Sequence, residues 1–166
     1  MNILSLAAVA ASFTMSLAAQ TQAQSGSDEL TRGAYLVRIM TCADCHAPRD
    51  ATGAPDPSRG LVGGNVGFRV PGLAIVWGPN LTPDETGIGG WTVEDVVRAL
   101  RTGETPEGRG LIPVMPWPAY AGLSDEDATS LAAYLLAQPA VSNRVPEMQG
   151  PDDPAPMPYF DLVLPQ

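Results

Sequence analysis

Two cysteines and a histidine stand within five residues of this chain, in the order Cys42-Ala43-Asp44-Cys45-His46. Two cysteines at this spacing, with a histidine directly after the second, form the attachment signature of c-type haem. In that chemistry both thiols add across the haem vinyl groups, and the histidine supplies a nitrogen ligand to the iron. The motif therefore predicts one haem c, held covalently through Cys42 and Cys45, with His46 as its first axial ligand.

Other interpretations of the motif explain less of it. A thioredoxin-like redox pair has no need of His46. A zinc site needs a second pair of ligands, and the chain contains only these two cysteines and this one histidine. A disulfide between such close cysteines is strained and restrains very little of the chain.

The second axial ligand of the iron has to be something other than histidine, because His46 is the only one. A methionine, an exogenous ligand or an open site all remain possible. Met115 lies between Pro113 and Pro116, in a segment that its prolines are expected to hold extended and stiff. A thioether sulfur suits haem iron, so we expect Met115 to be the sixth ligand. The alternative use of its side chain is to fill the core.

The first residues of the chain have the pattern of an export signal. Residues 3–17 are apolar or small almost throughout, a length that is short for a membrane span. Thr21 and Ala23 form a small-x-small cleavage site, although no Lys or Arg precedes the apolar run. We expect residues 1–23 to be a signal peptide, the protein to be periplasmic, and no stable membrane span to remain after cleavage. An uncleaved membrane anchor is the alternative.

Three segments carry helical signals. The first has apolar residues at helical spacing between Leu30 and Met40. The second begins after Thr92, with Asp95 placed to complete a capping box. The third begins after Ser124, which is followed by three acidic residues that suit the positive end of a helix. These signals predict three helices.

The rest of the chain shows no helical period. Glycines and prolines interrupt residues 47–90 throughout, and so long a loop is reasonable if it wraps a large apolar cofactor. Within it, residues 66–77 are expected to form pocket wall or a short hairpin. Residues 140–166 are proline-rich and are expected to form an extended tail on the surface, which makes Met148 and Met157 poor ligand candidates. The predicted division of the chain is a signal peptide (1–23), one domain (24–139) and the tail (140–166).

The charge of the chain limits its partners. The formal net charge is −9, and all nine basic residues are arginine. Nucleic acids and anionic membrane surfaces are therefore not expected to bind.

Three stretches resemble monohaem cytochrome c domains. They are RGAYL at residues 32–36, PNLTPD at 79–84 followed by TGIG at 86–89, and Met115-Pro116 leading to LSDED at 123–127. The chain is similar to the cytochrome c subunits of bacterial periplasmic alcohol, aldehyde and gluconate dehydrogenases, over about residues 30–146.

The resemblance implies a small all-helical cytochrome c fold in which the first and last helices cross. At that crossing, Gly33 and Tyr35 would meet Tyr134 and Leu135. It also implies that the carbonyl of Pro79 accepts the second N–H of the proximal histidine.

Motif and resemblance together predict a periplasmic electron carrier rather than an enzyme. The resemblance implies a periplasmic dehydrogenase as electron donor and a respiratory-chain component as acceptor. One alternative is a tightly bound cytochrome subunit of a dehydrogenase complex, although such subunits usually carry three haem domains and this chain has one motif. Another is a haem enzyme or sensor with an open iron site, which the absence of a second histidine disfavours.

Overall fold

A computed structural model of the protein describes residues 25–163, so the predicted signal peptide lies outside the described residues. No helix in this range is long and apolar enough to cross a bilayer. The helices of the described range are α1 (residues 25–39), α2 (Ala43–His46), α3 (Val93–Thr102), α4 (Trp117–Tyr120) and α5 (Asp125–Leu136). The strands are β1 (Gly67–Val70), β2 (Ala74–Val76) and β3 (Tyr159–Phe160), and a 3-10 turn covers Pro57–Arg59.

Helices α3 and α5 begin where side-chain caps place them. The hydroxyl of Thr92 accepts a hydrogen bond from the N–H of Asp95, whose carboxylate accepts one from the N–H of Thr92. Ser124 caps α5 by accepting from the N–H of Asp127. Gly103 ends α3 in the left-handed region at φ 70°, where glycine is favoured. The predicted starts of both helices are confirmed.

Helices α1 and α5 approach each other at a glycine. A Cβ at Gly33 would collide with the carbonyl oxygen of Ser130 and the Cβ of Tyr134, so a larger residue would push the two helices apart. The predicted meeting of Gly33 and Tyr134 is thereby confirmed. Tyr35, also expected there, is 45 % exposed, and its ring lies 5.3 Å from the guanidinium carbon of Arg32.

One apolar cluster joins α1, α3, α5 and the loop between α2 and α3. In α1 it contains Leu36, which is 3 % exposed, whereas Leu30 of the predicted stripe is 38 % exposed. Gly33 of the predicted stripe is buried, and Val37 and Met40 pack against the cluster, so the predicted face of α1 is confirmed except at Leu30. The buried members of the cluster are Leu36, Leu61, Ile88, Val96, Leu100, Leu131, Ala132 and Leu135.

A small sheet corrects the prediction of an all-α fold. Strands β1 and β2 form an antiparallel hairpin, and β3 pairs with β1 in parallel, giving the order β2-β1-β3. The hairpin forms because Pro71 and Gly72 make a tight turn, with Gly72 at φ 70° and a bond of 3.0 Å from Leu73 N–H to the carbonyl of Val70. A hairpin was one of the two expectations for residues 66–77. The fold is mainly helical, with a third strand that comes from the C-terminal segment.

Candidate functional site

The cysteines and the histidine of the motif share a single helical turn. Helix α2 follows Cys42 directly, and the N–H of His46 donates to the carbonyl of Cys42 at 2.9 Å. The turn follows Thr41, the one non-glycine residue in the described range with a positive φ, at 53°. A threonine adopts this conformation only at an energetic cost, so the turn between α1 and α2 is imposed by the surrounding structure. Cys42, Cys45 and His46 are thus brought together as the spacing predicted.

His46 has its ring oriented by a backbone carbonyl. Its Nδ1 lies 2.8 Å from the carbonyl oxygen of Pro79. A carbonyl can only accept, so Nδ1 carries the proton and Nε2 is left with a free lone pair. Burial lowers the pKa of His46, an effect that the bond to Pro79 partly opposes, so the neutral ligand form is favoured. The hydrogen bond expected from the resemblance is therefore present.

Asn80 fixes the backbone beside Pro79, a role that the sequence analysis did not assign. Its side chain is fully buried and makes four hydrogen bonds. Oδ1 accepts from the N–H and the hydroxyl of Thr82, both at 2.9 Å. Nδ2 donates to the carbonyl of Val141 at 2.8 Å and to the hydroxyl of Thr86 at 3.2 Å. The signal available in the sequence was an amide side chain directly after Pro79, inside the stretch that carries the resemblance.

Glycines line the backbone behind the motif. The N–H of Gly63 donates to the carbonyl of His46 at 2.8 Å, and the N–H of Gly64 donates to the carbonyl of Gly78 at 2.9 Å. A Cβ at Gly64 or at Gly78 would collide with the carbonyl oxygen of Cys45. The loops therefore pack on the motif with backbone against backbone.

The thiols of the motif are partly buried. Burial raises the pKa of Cys42 to about 11, and burial also raises the pKa of Cys45. The two cysteines form no disulfide. Residues 25–163 contain no cluster of three or more His, Cys, Asp or Glu of the kind that a zinc site requires.

Met115 lies in a turn and not in an extended segment. Its N–H donates to the carbonyl of Ile112 at 3.1 Å, and its own carbonyl accepts from the N–H of Trp117 at 2.8 Å. Helix α4 begins immediately afterwards. The prediction of an extended segment was wrong because the φ that proline fixes suits the second position of a turn equally well, and Pro113 occupies that position here.

The side chains around the candidate site fit a haem. Met115 is partly buried against the same apolar cluster as Cys42, which gives the walls the character that a porphyrin needs. The indole N–H of Trp117 is buried and has no hydrogen-bond partner among the described residues. Such a donor suits an acceptor brought by the bound group, such as a haem carboxylate. Two thiols, one free imidazole nitrogen and one thioether are the donor set of a haem c site.

Comparisons with known proteins point to the same chemistry. The sequence model of the family described as cytochrome c matches residues 30–139. The cytochrome c subunit of gluconate 2-dehydrogenase from Pantoea cypripedii is 36 % identical over 124 residues, which are 74 % of this chain and 26 % of that protein. The cytochrome c subunit of a quinone alcohol dehydrogenase from Gluconobacter oxydans is 33 % identical over 126 residues, 74 % of this chain and 24 % of that protein.

A shorter relative, a dihaem c-type cytochrome from Cereibacter sphaeroides, is 38 % identical over 112 residues. That match covers 67 % of this chain and 36 % of the relative. The chain thus spans about a quarter to a third of the length of these three relatives.

Proposed function

Since the chain belongs to the cytochrome c family, we propose that it carries single electrons through one haem c. Cys42 and Cys45 would form the thioether links, and the Nε2 of His46 and the sulfur of Met115 would be the ligands of the iron. The observation that carries the proposal is the hydrogen bond from His46 Nδ1 to the Pro79 carbonyl, which leaves Nε2 free beside two cysteines. Haem bound in this way supplies an iron that cycles between Fe(III) and Fe(II).

The residues of the chain act on the iron by holding its ligands. The Pro79 carbonyl orients the His46 ring and raises its basicity. Methionine opposite histidine favours a raised reduction potential, within the roughly 0.8 V that axial ligands span. With His46 and Met115 both bound to the iron, no ligand position would be left for a substrate, and we therefore expect no enzymatic activity from this chain alone.

Covalent attachment is tested on a denaturing gel stained for haem. We expect the stain to migrate with the polypeptide, and the double variant Cys42→Ala/Cys45→Ala to lose it. A redox titration should then follow a single one-electron curve, because the chain has one motif. Haem that acid acetone extracts cleanly from the wild-type protein would contradict the proposal.

A second candidate function is that of a tightly held subunit of a dehydrogenase. The names of the relatives favour it, since those from Pantoea cypripedii and Gluconobacter oxydans are cytochrome c subunits of dehydrogenases. Native purification followed by size-exclusion chromatography separates the two cases. A free carrier elutes at its own size, whereas a subunit elutes with its dehydrogenase.

We place the protein in the periplasm, with a dehydrogenase as electron donor and a respiratory-chain component as acceptor. The apolar run at residues 3–17 and the haem motif support this location. Mass spectrometry of the periplasmic fraction should find an N terminus directly after Ala23. With a net charge of −9, electron exchange with a basic partner should slow as salt screens the attraction.

A further inference from the structure

The C-terminal segment, residues 140–163, lies beyond the part of the chain that the family matches, residues 30–139. It contains no helix, and most of its residues are exposed. The tail was predicted to lie on the surface, and it does so, but it is not loose. Several of its hydrogen bonds go to the loops that hold His46.

The first attachment of the segment is at Val141. The carbonyl of Val141 accepts from the side chain of Asn80 at 2.8 Å, and its N–H donates to the hydroxyl of Thr82 at 3.1 Å. Asn80 directly follows Pro79, whose carbonyl accepts from the His46 ring. The segment thus holds Asn80, the residue next to the Pro79 carbonyl that accepts the ring proton of His46.

The second attachment is at Asn143 and Val145. The side chain of Asn143 donates to the carbonyl of Val62 at 2.7 Å. Val145 packs against Gly63 so closely that a Cβ on this glycine would collide with its Cγ1. The N–H of Gly63 donates to the backbone carbonyl of His46 at 2.8 Å. The segment thus also holds the donor to the histidine backbone.

The far end of the segment is anchored independently of these loops. Gln149 exchanges two backbone hydrogen bonds with Ile75, at 3.0 and 2.9 Å. The carbonyl of Pro158 accepts from the indole of Trp77 at 3.2 Å, and β3 pairs with β1. The segment is therefore fixed at two places, at residues 141–145 by the His46 loops and at residues 149–160 by β1, β2 and Trp77.

We propose that residues 141–145 are a positioning element for the proximal histidine. Within the described part of the chain they make no hydrogen bond to the ring or to the two cysteines, and they act by restraining the two loops that hydrogen-bond to His46. This inference rests on the proposed role of His46 as iron ligand. Loss of the restraint weakens the bond from His46 to Pro79, which lowers the basicity of the ligand and raises the reduction potential.

The test compares two neutral substitutions of nearly unchanged size in the haem-loaded protein. Asn143→Leu removes the donor to Val62. Gln149→Met removes an amide whose bond, 2.9 Å to the carbonyl of Glu147, stays inside the segment. NMR hydrogen exchange is followed at the His46 ring N–H and at the Gly63 amide, and the reduction potential is measured alongside.

We expect Asn143→Leu to accelerate exchange at both positions by about fivefold, the effect of losing one hydrogen bond, and to raise the potential. Gln149→Met should change neither of the two exchange rates nor the reduction potential. Unchanged exchange in Asn143→Leu, or equal acceleration in both variants, would overturn the proposal. If Asn143→Leu does not fold, Val145→Ala provides the same test with a smaller effect. A wild-type spectrum without histidine-ligated haem would contradict the proposed function, while exchange at Gly63 would still decide whether the segment restrains its loop.

Discussion

The two sides of the proposed iron site are built in different ways. His46 is held by segments far apart in sequence, namely residues 62–63, residues 79–82 and the C-terminal residues 141–145. Met115 is held by its neighbours, through hydrogen bonds to residues three positions before it and two positions after it. One ligand is therefore part of the tertiary structure, and the other is presented by a local turn.

Because of this difference, we expect substitutions on the two sides to affect different properties, namely the stability of the fold and the ligation of the iron. The buried hydrogen bonds on the His46 side cannot be lost singly without leaving polar partners unsatisfied. On the other side, the side chain of Met115 contributes only apolar packing to the fold. We therefore expect damage to the His46 side to unfold the protein, and damage to the Met115 side to change its spectrum and potential.

The largest effect is expected from Asn80→Ala on the His46 side. The substitution removes four hydrogen bonds of a fully buried side chain and leaves the N–H of Thr82 without its acceptor. We expect it to lower the free energy of unfolding in urea by about 3 kcal/mol or more. The matched control is Asn65→Ala, which loses two partly buried bonds to the backbone of Arg49 and should cost about 1–2 kcal/mol. If Asn80→Ala lowers the free energy of unfolding no more than the control does, the His46 side does not have the special role in stability that the comparison gives it.

Met115→Ala should have a smaller effect on stability and a larger effect on the iron. Because the side chain is only partly buried, we expect a loss of about 1–2 kcal/mol, below the range for fully buried methionines. The reduction potential should fall, and the reduced protein should bind carbon monoxide, as observed by absorption spectroscopy. Met148→Ala, at a residue 60 % exposed, is the control and should change neither property. Retention of the wild-type potential in Met115→Ala would show that another group is the ligand.

The smallest effect on the free energy of unfolding is expected from the protonation of Asp84 at acid pH. The hydroxyl and the N–H of Thr86 both donate to Asp84 and hold the pKa of its carboxyl below its ordinary value. The same hydroxyl accepts from Asn80 and Asn143 on the His46 side. Because the folded pKa is depressed, this stabilisation is present above the unfolded pKa and is lost as pH falls through the folded one. Residues 111–118, which carry Met115, contain no titratable side chain.

The measurement is the free energy of unfolding of wild type and Asp84→Asn at about pH 5 and about pH 3. The wild type should be more stable at the higher pH, and the difference between the two proteins should shrink at the lower one. A constant difference would show that ionised Asp84 does not support the His46 side.

What the sequence predicted well were features decided by near neighbours. The caps at Thr92 and Ser124 depend on residues three positions away, and the haem motif depends on five consecutive residues. The acceptor at Pro79 was reached only through the resemblance, because nothing in the spacing of residues 46 and 79 indicates that they meet.

What the sequence left undecided depends on contacts between distant segments. Strand β3 pairs with β1 about 90 residues earlier, and a two-residue strand gives no periodic pattern. The attachment of Asn143 to Val62 is likewise invisible in a proline-rich stretch. The conformation at Met115 was missed for another reason, since proline fixes one dihedral angle that both turns and extended segments share.

The measurement that tests the account most directly is the absorption spectrum of the oxidised wild-type protein. Coordination by His46 and Met115 predicts a low-spin iron with the weak near-infrared band of sulfur bound to Fe(III), and a reduced form that does not bind carbon monoxide. A high-spin spectrum without that band would contradict the proposed ligation, and would indicate an open iron site of the kind used by haem enzymes and sensors.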